Sequence, residues 1–122
     1  MSVFHQNILA GASGAAGGAS GPLYVDDVFS TFLYEGTSAA QTITNGIDLD
    51  GEGGMVWIKT RGVNDEPTVF DTERGAGKYI MSHSTSAEQT QTEQLSSFNS
   101  NGFSLGSANQ TNRDNNIMCS WT

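Results

Sequence analysis

An acidic stretch is the first place where the sequence could do chemistry. Three carboxylates alternate with other residues at positions 48–52, as at the start of a calcium-binding EF-hand loop. Such a loop needs glycine at its sixth position and a bidentate glutamate at its twelfth. The sixth position is Gly53, but the twelfth is Lys59, so the ligand that closes the calcium site is missing. The sequence therefore predicts an acidic turn here.

Two glycine-rich stretches resemble catalytic or nucleotide-binding motifs and then depart from them. Residues 74–78 end in Gly-Lys like a phosphate-binding loop, but Thr72 stands where that loop has its first glycine, and Tyr79 replaces the serine or threonine after the lysine. Residues 11–15 approach a nucleophile elbow, but the closing glycine is Ala15 and no predicted strand precedes them. Neither stretch predicts a nucleotide site or a nucleophile.

The remaining ligand and acid–base residues are scattered. His5, His83 and Cys119 lie in three distant segments, so no pair has the spacing of zinc ligands, and we expect neither a metal nor another cofactor. The single cysteine cannot form an internal disulfide. Paired carboxylates such as Asp26 and Asp27 could serve glycoside hydrolysis only if the fold placed a second carboxylate about 5 to 10 Å away, which the sequence does not show. These residues therefore predict no catalytic site.

Alternating apolar and polar residues from position 23 onward predict an antiparallel β domain. Asn101-Gly102 between Phe98 and Phe103 is the strongest hairpin signal. The polar residues 82–93 predict an exposed loop. The fold class that we expect is all-β, an antiparallel β-sandwich of jelly-roll or lectin-like type at residues 23–122, with about seven strands near residues 28–34, 41–47, 55–59, 68–71, 79–81, 95–98 and 117–122.

The aromatic residues leave two interpretations open. Tyr34, Trp57, Tyr79 and Trp121 could form a stacking platform for sugars, but the alternation places both tryptophans on apolar strand faces, which favours burial in the core. A carbohydrate-binding alternative uses exposed loops instead. Its candidate glycan-facing residues are Tyr79, His83, Asn99 and Asn101.

Residues 1–22 differ sharply from the rest of the chain. A short apolar head is followed by residues 10–22, which are almost entirely Gly, Ala and Ser and predict an extended, flexible linker. An apolar peptide on a flexible tether is suited to docking in a groove of another protein, although a disordered terminus would have the same composition. The candidate docking residues are Val3, Phe4, His5, Ile8 and Leu9.

Charge and hydropathy exclude several classes of partner. Five Lys and Arg against thirteen Asp and Glu give a formal net charge of −8, which disfavours nucleic acid and anionic membranes as partners. No apolar run approaches the ~20 residues that span a bilayer, and residues 1–22 lack the basic start of a signal peptide. We expect a protein made in the cytoplasm and kept there until it is assembled.

Several stretches resemble structural proteins of tailed phages that are common in marine phages and often carry lectin-like or laminin-G-like domains. The apolar head is similar to the start of many tail-fibre-like proteins of these phages. In that family the last strand continues into further β structure, which implies a chain longer than 122 residues. The stretches that carry the resemblance are residues 4–14, 26–34, 41–49, 53–61, 70–75 and 97–106.

The resemblance implies a virion component without catalytic residues, made in the host cytoplasm and assembled into the tail. The expected function is the N-terminal attachment region of a tail fibre, in which the apolar head docks onto a tail or adaptor protein. Such fibres are usually homotrimers, which would bury exposed linkers and edge strands. The alternative is a carbohydrate-binding or capsid-decoration domain on the virion surface, with a host surface glycan as its ligand.

Overall fold

The computed structural model of the protein describes residues 21–122. This part of the chain contains two single-turn helices and nine strands. The helices are α1 (Val25–Val28) and α2 (Asn109–Asn112), and the strands are β1 (Thr31–Glu35), β2 (Gln41–Thr44), β3 (Met55–Thr60), β4 (Thr68–Asp71), β5 (Lys78–Met81), β6 (Gln89–Thr90), β7 (Leu95–Asn99), β8 (Gly102–Leu105) and β9 (Ile117–Trp121).

The strands form two antiparallel sheets, which confirms the predicted all-β sandwich. The larger sheet has the order β1-β9-β3-β4-β5-β6, and the smaller has the order β2-β8-β7. The last strand therefore lies between β1 and β3, with Thr31 opposite Trp121 on one side and Trp57 opposite Trp121 on the other. Strands β1 and β9, from opposite ends of the described chain, are therefore neighbours in the larger sheet.

Alternation along each strand builds the core. Val56 and Ile58 of β3 are fully buried, while Met55 and Trp57, which alternate with them, are exposed, as the period of two requires. The smaller sheet contributes Phe103 and other apolar side chains from its inner side. The buried apolar core consists of Tyr34, Ile43, Ile47, Leu49, Val56, Ile58, Phe70, Tyr79, Leu95, Phe103, Leu105 and Met118.

The predicted hairpin is confirmed. Strands β7 and β8 pair with Phe98 opposite Phe103 and Asn99 opposite Gly102, so the two turn residues are Ser100 and Asn101. Gly102 has φ +153°, and a Cβ there would overlap the carbonyl oxygen of Ile43 in β2. A glycine is therefore needed at this position for the third strand of the smaller sheet to approach.

Two predicted boundaries are wrong. Residues 28–34 do not form one strand, because Val28 ends the α1 turn, in which the Phe29 N–H donates to the Val25 carbonyl (2.8 Å), and β1 begins at Thr31. The loop at residues 82–93 is mostly exposed, as predicted, but it contains the two-residue strand β6, which pairs with β5. Two residues are too few for an alternation to be recognised in the sequence.

A buried amide that the sequence did not indicate joins the loops at one end of the sandwich. The fully buried Asn112 accepts hydrogen bonds from the Thr37 N–H (2.8 Å) and Gln41 Nε2 (2.6 Å). Its Nδ2 donates to the carbonyls of Ala39 (2.7 Å) and Gly106 (2.7 Å). Every hydrogen-bonding position of this amide is used, so it can be buried without an unpaired polar atom.

Candidate functional site

The side of the larger sheet that faces away from the smaller sheet carries apolar side chains in place of the polar ones expected on the outside of a sandwich. Leu33, Met55, Trp57 and Ile117 are 53%, 45%, 38% and 42% exposed. We call this surface the outer face; its apolar residues, exposed or partly covered, are Leu33, Met55, Trp57, Val69, Ile80, Ile117, Cys119 and Trp121.

Both tryptophans belong to the outer face, so their predicted burial in the core is wrong. Trp57 and Trp121 are direct neighbours on β3 and β9, and their rings lie 5.2 Å apart at an angle of 46°. Strand β3 is apolar on both sides, so alternation alone could not tell which side faces the core. In β9 the more apolar side, with Ile117, Cys119 and Trp121, faces away from the core. Val56 and Met118 occupy the inner side, which leaves the two indoles on the outer face.

The charges that β1, β9 and the end of β3 bring to the outer face lie at one end of these strands. Glu35 in β1 is opposite Ile117 in β9, and the Arg61 N–H donates to the Ile117 carbonyl (2.9 Å) from the other side. Glu35 and Arg61 therefore flank Ile117 in one row. The Lys59 ammonium group donates to the carbonyls of Thr60 (2.7 Å) and Val63 (3.3 Å), which anchors it at the same end.

Cys119 lies beside this row, between Leu33 and Lys59. Burial raises the pKa of the Cys119 thiol, and the positive charge of Arg61 lowers it by a smaller amount. This influence is consistent with the Arg61 side chain lying on the outer face, as the alternation of β3 indicates. The thiol is 7% exposed, so it packs within the outer face and is not presented as a reactive group.

A polar cleft of about 370 Å³ lies next to the outer face and shares Lys59 with it. Asp65 is held in its wall by two hydrogen bonds from Arg113, which lower the pKa of the Asp65 carboxyl more than burial raises it. Glu66 accepts a hydrogen bond from Gln110 Nε2 (3.2 Å). The lining residues are Lys59, Asn64, Asp65, Glu66, Pro67 and His83. A neutral polar ligand such as a sugar would find both donors and acceptors there.

The predicted glycan-facing residues do not form one site. The predicted exposure of Tyr79 is wrong. Tyr79 lies in β5 and is 6% exposed, and its ring is 5.6 Å from that of Phe70 in the core. His83 is exposed and lines the cleft, which belongs to the larger sheet. Asn99 and Asn101 belong to the β7–β8 hairpin of the smaller sheet and do not line the cleft.

The Asn99 side chain is engaged within its own hairpin. Its Nδ2 donates to Ser104 Oγ (3.0 Å), and its Oδ1 accepts from Ser97 Oγ (2.9 Å). Asn101 is exposed at the turn, where its carbonyl accepts from the N–H groups of Asn45 (3.1 Å) and Gly46 (3.0 Å). The predicted docking residues Val3, Phe4, His5, Ile8 and Leu9 lie outside the described residues.

The other motifs of the sequence have structural roles. The acidic turn is confirmed, since Asp48 Oδ1 accepts from the Gly51 N–H (2.7 Å). Arg74 forms an ion pair with Asp71. Within residues 21–122 there is no group of three or more His, Cys, Asp or Glu side chains placed to hold a metal ion. None of the helices in this part of the chain has the length and apolar character that a membrane crossing requires.

Comparison with known proteins gives one match. The model of a family described as a domain of unknown function (DUF7483) matches residues 25–122. Comparisons with curated proteins and with solved structures gave no match. The matched residues include both sheets, the outer face and the polar cleft. The chain therefore belongs to the DUF7483 family.

Proposed function

We propose that the chain is a structural component of a tailed-phage virion, the N-terminal attachment region of a tail fibre. In this proposal residues 1–22 dock onto a tail or adaptor protein, and the sandwich packs against a neighbouring subunit through its outer face. The resemblance of residues 4–14 and of five later stretches to phage structural proteins supports the identity. The outer face supports a role in assembly.

The observation that carries the proposal is the chemistry of the outer face. Aliphatic, aromatic and sulfur-containing side chains from β1, β9, β3 and β4 are contiguous through the strand pairing. Contiguous exposed apolar surface on a folded domain marks a contact with another macromolecule. Enrichment in Trp and Met with few charges is typical of the centre of a protein–protein interface. A subunit of an assembly needs such a surface.

The apolar head and residues 10–22 have different roles in this proposal, docking and spacing, because their compositions differ. Val3, Phe4, Ile8 and Leu9 supply apolar anchors of the kind that a groove accepts. The composition of residues 10–22 predicts a tether, and ~13 residues of this composition would have a root-mean-square span of about 20 Å. The head can therefore reach a partner without displacing the sandwich. The expected homotrimer stays a prediction.

Deletion of residues 2–22 in a phage that carries this gene tests the attachment role. We expect the truncated protein to fold, as judged by its far-ultraviolet circular dichroism and a cooperative thermal transition, and to be missing from purified particles by mass spectrometry. A matched variant that replaces only residues 11–19 with an equally long Gly-Ser linker should still enter particles. Particles that carry the truncated protein at the normal copy number would refute the proposal.

Carbohydrate binding is the second candidate function. It is favoured by one specific arrangement: the exposed Trp57 lies two residues before Lys59 in β3, and Lys59 lines the polar cleft together with His83. Sugars are bound by stacking on aromatic rings together with hydrogen bonds to polar side chains. A glycan array on the full chain, followed by titration with tryptophan fluorescence as the readout, tests this. The absence of binding would refute it, and so would Trp57→Ala and His83→Ala variants that bind the glycan as tightly as the wild type.

A further inference from the structure

We propose that a second copy of this chain covers the part of the outer face formed by β1, β9 and β3, with the two larger sheets packed face to face around a two-fold axis that runs along β9. This inference rests on the proposed function, because it names the partner of the same outer face. A two-fold dimer and the expected homotrimer exclude each other, and the mass of the protein in solution decides between them. Three observations carry it: the distribution of charge, the order of residues across the rows of the sheet, and the kind of side chains involved.

The distribution of charge on the outer face allows two acidic copies of the chain to meet there. The chain has a formal net charge of −8, and all its charged side chains lie in residues 21–122. The part of the outer face on β1, β9 and β3 has one carboxylate, Glu35, and one cation, Lys59. Arg61, the residue directly after β3, adds a second cation. Two acidic molecules that meet here therefore bring together surfaces of low net charge that carry both signs.

A row of residues across the sheet meets the same row of the other copy in reverse order, and the side chains that meet are complementary. Strand β9 lies between β1 and β3, so a two-fold axis along β9 places β1 of one copy over β3 of the other. In the row of Ile117 this sets Glu35 of each copy against Arg61 of the other. A two-fold interface repeats every contact, so this single row supplies two identical ion pairs.

The next two rows are also compatible with this arrangement. In the row of Cys119, Leu33 comes to lie over the aliphatic stem of Lys59, whose ammonium group is already bonded at the end of the strand. In the row of Trp121, the small side chain of Thr31 lies over the ring of Trp57. A small residue over a large one allows the two surfaces to interdigitate at the roughly 10 Å spacing of packed sheets.

The side chains favour a protein over a sugar as the occupant. Leu33, Met55 and Ile117 present aliphatic surface that forms no hydrogen bond, whereas sugars need polar groups around an aromatic ring. The two indoles are inclined at 46°, so they do not offer one flat platform. A sheet of the same shape, with its own protruding rings, fills such a surface more completely.

Sedimentation velocity and light scattering on the full chain, over a range of concentrations, test the inference. We expect a dimer that dissociates on dilution. Leu33→Glu should be monomeric, because it buries a carboxylate in the interface. Val63→Glu is the matched control: it replaces an apolar residue that is 40% exposed in the β3–β4 loop, outside the outer face, and changes the net charge equally. It should remain dimeric.

A charge swap tests the geometry itself. Glu35→Arg and Arg61→Glu should each raise the dissociation constant about tenfold, because each places two like charges in contact twice per dimer. The double variant should restore the original dissociation constant. Circular dichroism and thermal unfolding check that each variant folds. No restoration in the double variant would overturn the two-fold pairing.

Other outcomes separate this inference from the proposed function. A monomer at all concentrations, a trimer by mass, or equal behaviour of Leu33→Glu and Val63→Glu would overturn the two-fold pairing. Incorporation into particles is measured independently, so a monomeric protein that still enters particles would refute the pairing and leave the attachment role intact. A wild-type monomer whose Leu33→Glu variant fails to enter particles would show that a different virion protein covers the outer face.

Discussion

Arg113 holds Asp65 by two parallel hydrogen bonds, from Nε (2.6 Å) and from Nη2 (2.8 Å). The pair connects the β3–β4 loop to the segment between α2 and β9. It fixes one wall of the polar cleft, next to the end of the outer face where Lys59 and Arg61 lie. The planar guanidinium matches a carboxylate in both position and direction, which a lysine could not do.

Asp65→Asn should destabilise the domain at neutral pH and much less in acid. The bonded Arg113 holds the pKa of the Asp65 carboxyl below its ordinary value, against the smaller opposing effect of burial. The folded state therefore binds this proton less readily than the unfolded state. The stabilisation is fully present above the unfolded pKa of about 3.9 and is lost as the pH falls through the lower folded pKa.

Urea unfolding of wild type and Asp65→Asn between pH 7 and pH 3 measures this difference. The exposed Asp50 provides a control, since Asp50→Asn changes the net charge in the same way without removing an ion pair to Arg113. A difference between wild type and Asp65→Asn that stays constant over this pH range would contradict the prediction.

Asn112→Asp should lower the free energy of unfolding by about 3 kcal/mol or more at pH 7. The introduced carboxylate has no hydrogens to donate to the carbonyls of Ala39 and Gly106, which lie 2.7 Å from the present Nδ2. Burial and these two oxygens would raise the pKa of the new carboxyl, so the loss should diminish as the pH falls towards 4. Equilibrium unfolding at pH 4 and pH 7 checks this.

The same substitution of asparagine by aspartate can be made at the neighbouring Asn109, which is exposed at the start of α2. Asn109→Asp should leave the free energy of unfolding within about 0.5 kcal/mol of wild type. An equal effect of the two substitutions would show that the buried hydrogen-bond network around Asn112 is not what makes that position sensitive.

Gly102→Ala should destabilise the domain by about 3 kcal/mol or more, because the new methyl group would overlap the Ile43 carbonyl oxygen and separate β8 from β2. Gly46→Ala is the matched control: it also has positive φ (+87°), but nothing lies within 4 Å of the position of its Cβ. That variant should lose only about 1 kcal/mol, from the backbone conformation alone. Thermal unfolding of the two variants distinguishes overlap from backbone strain.

Cys119 should react slowly with iodoacetamide in the folded protein and quickly after unfolding. Its thiol is 7% exposed, and burial raises its pKa, so less of the reactive thiolate is present at pH 8. Ser100→Cys supplies an internal standard in the exposed turn of the β7–β8 hairpin. Mass spectrometry should show one fast and one slow thiol in that variant, and two equally fast ones in urea. Equal rates in the folded state would refute the buried position of Cys119.

Local signals in the sequence predicted the elements that depend on neighbouring residues. The alternation from Met55 to Lys59 predicted β3, and the Asn-Gly pair between two phenylalanines predicted the β7–β8 hairpin. Both were confirmed because side-chain alternation and tight turns arise within a few residues. The exposed loop around His83 was predicted from composition for the same reason.

The candidate site depended on contacts that local signals do not contain. The sequence alone determined that residues 23–122 form an antiparallel β-sandwich and that β3 has two apolar sides. Only the tertiary structure decided that Trp57 and Trp121 meet on the outer face, that Tyr79 is buried, and that Asp65 reaches Arg113. The physical reason is that the pairing of β9 with β1 and β3 joins distant segments, and this pairing determines which side of each strand faces the core.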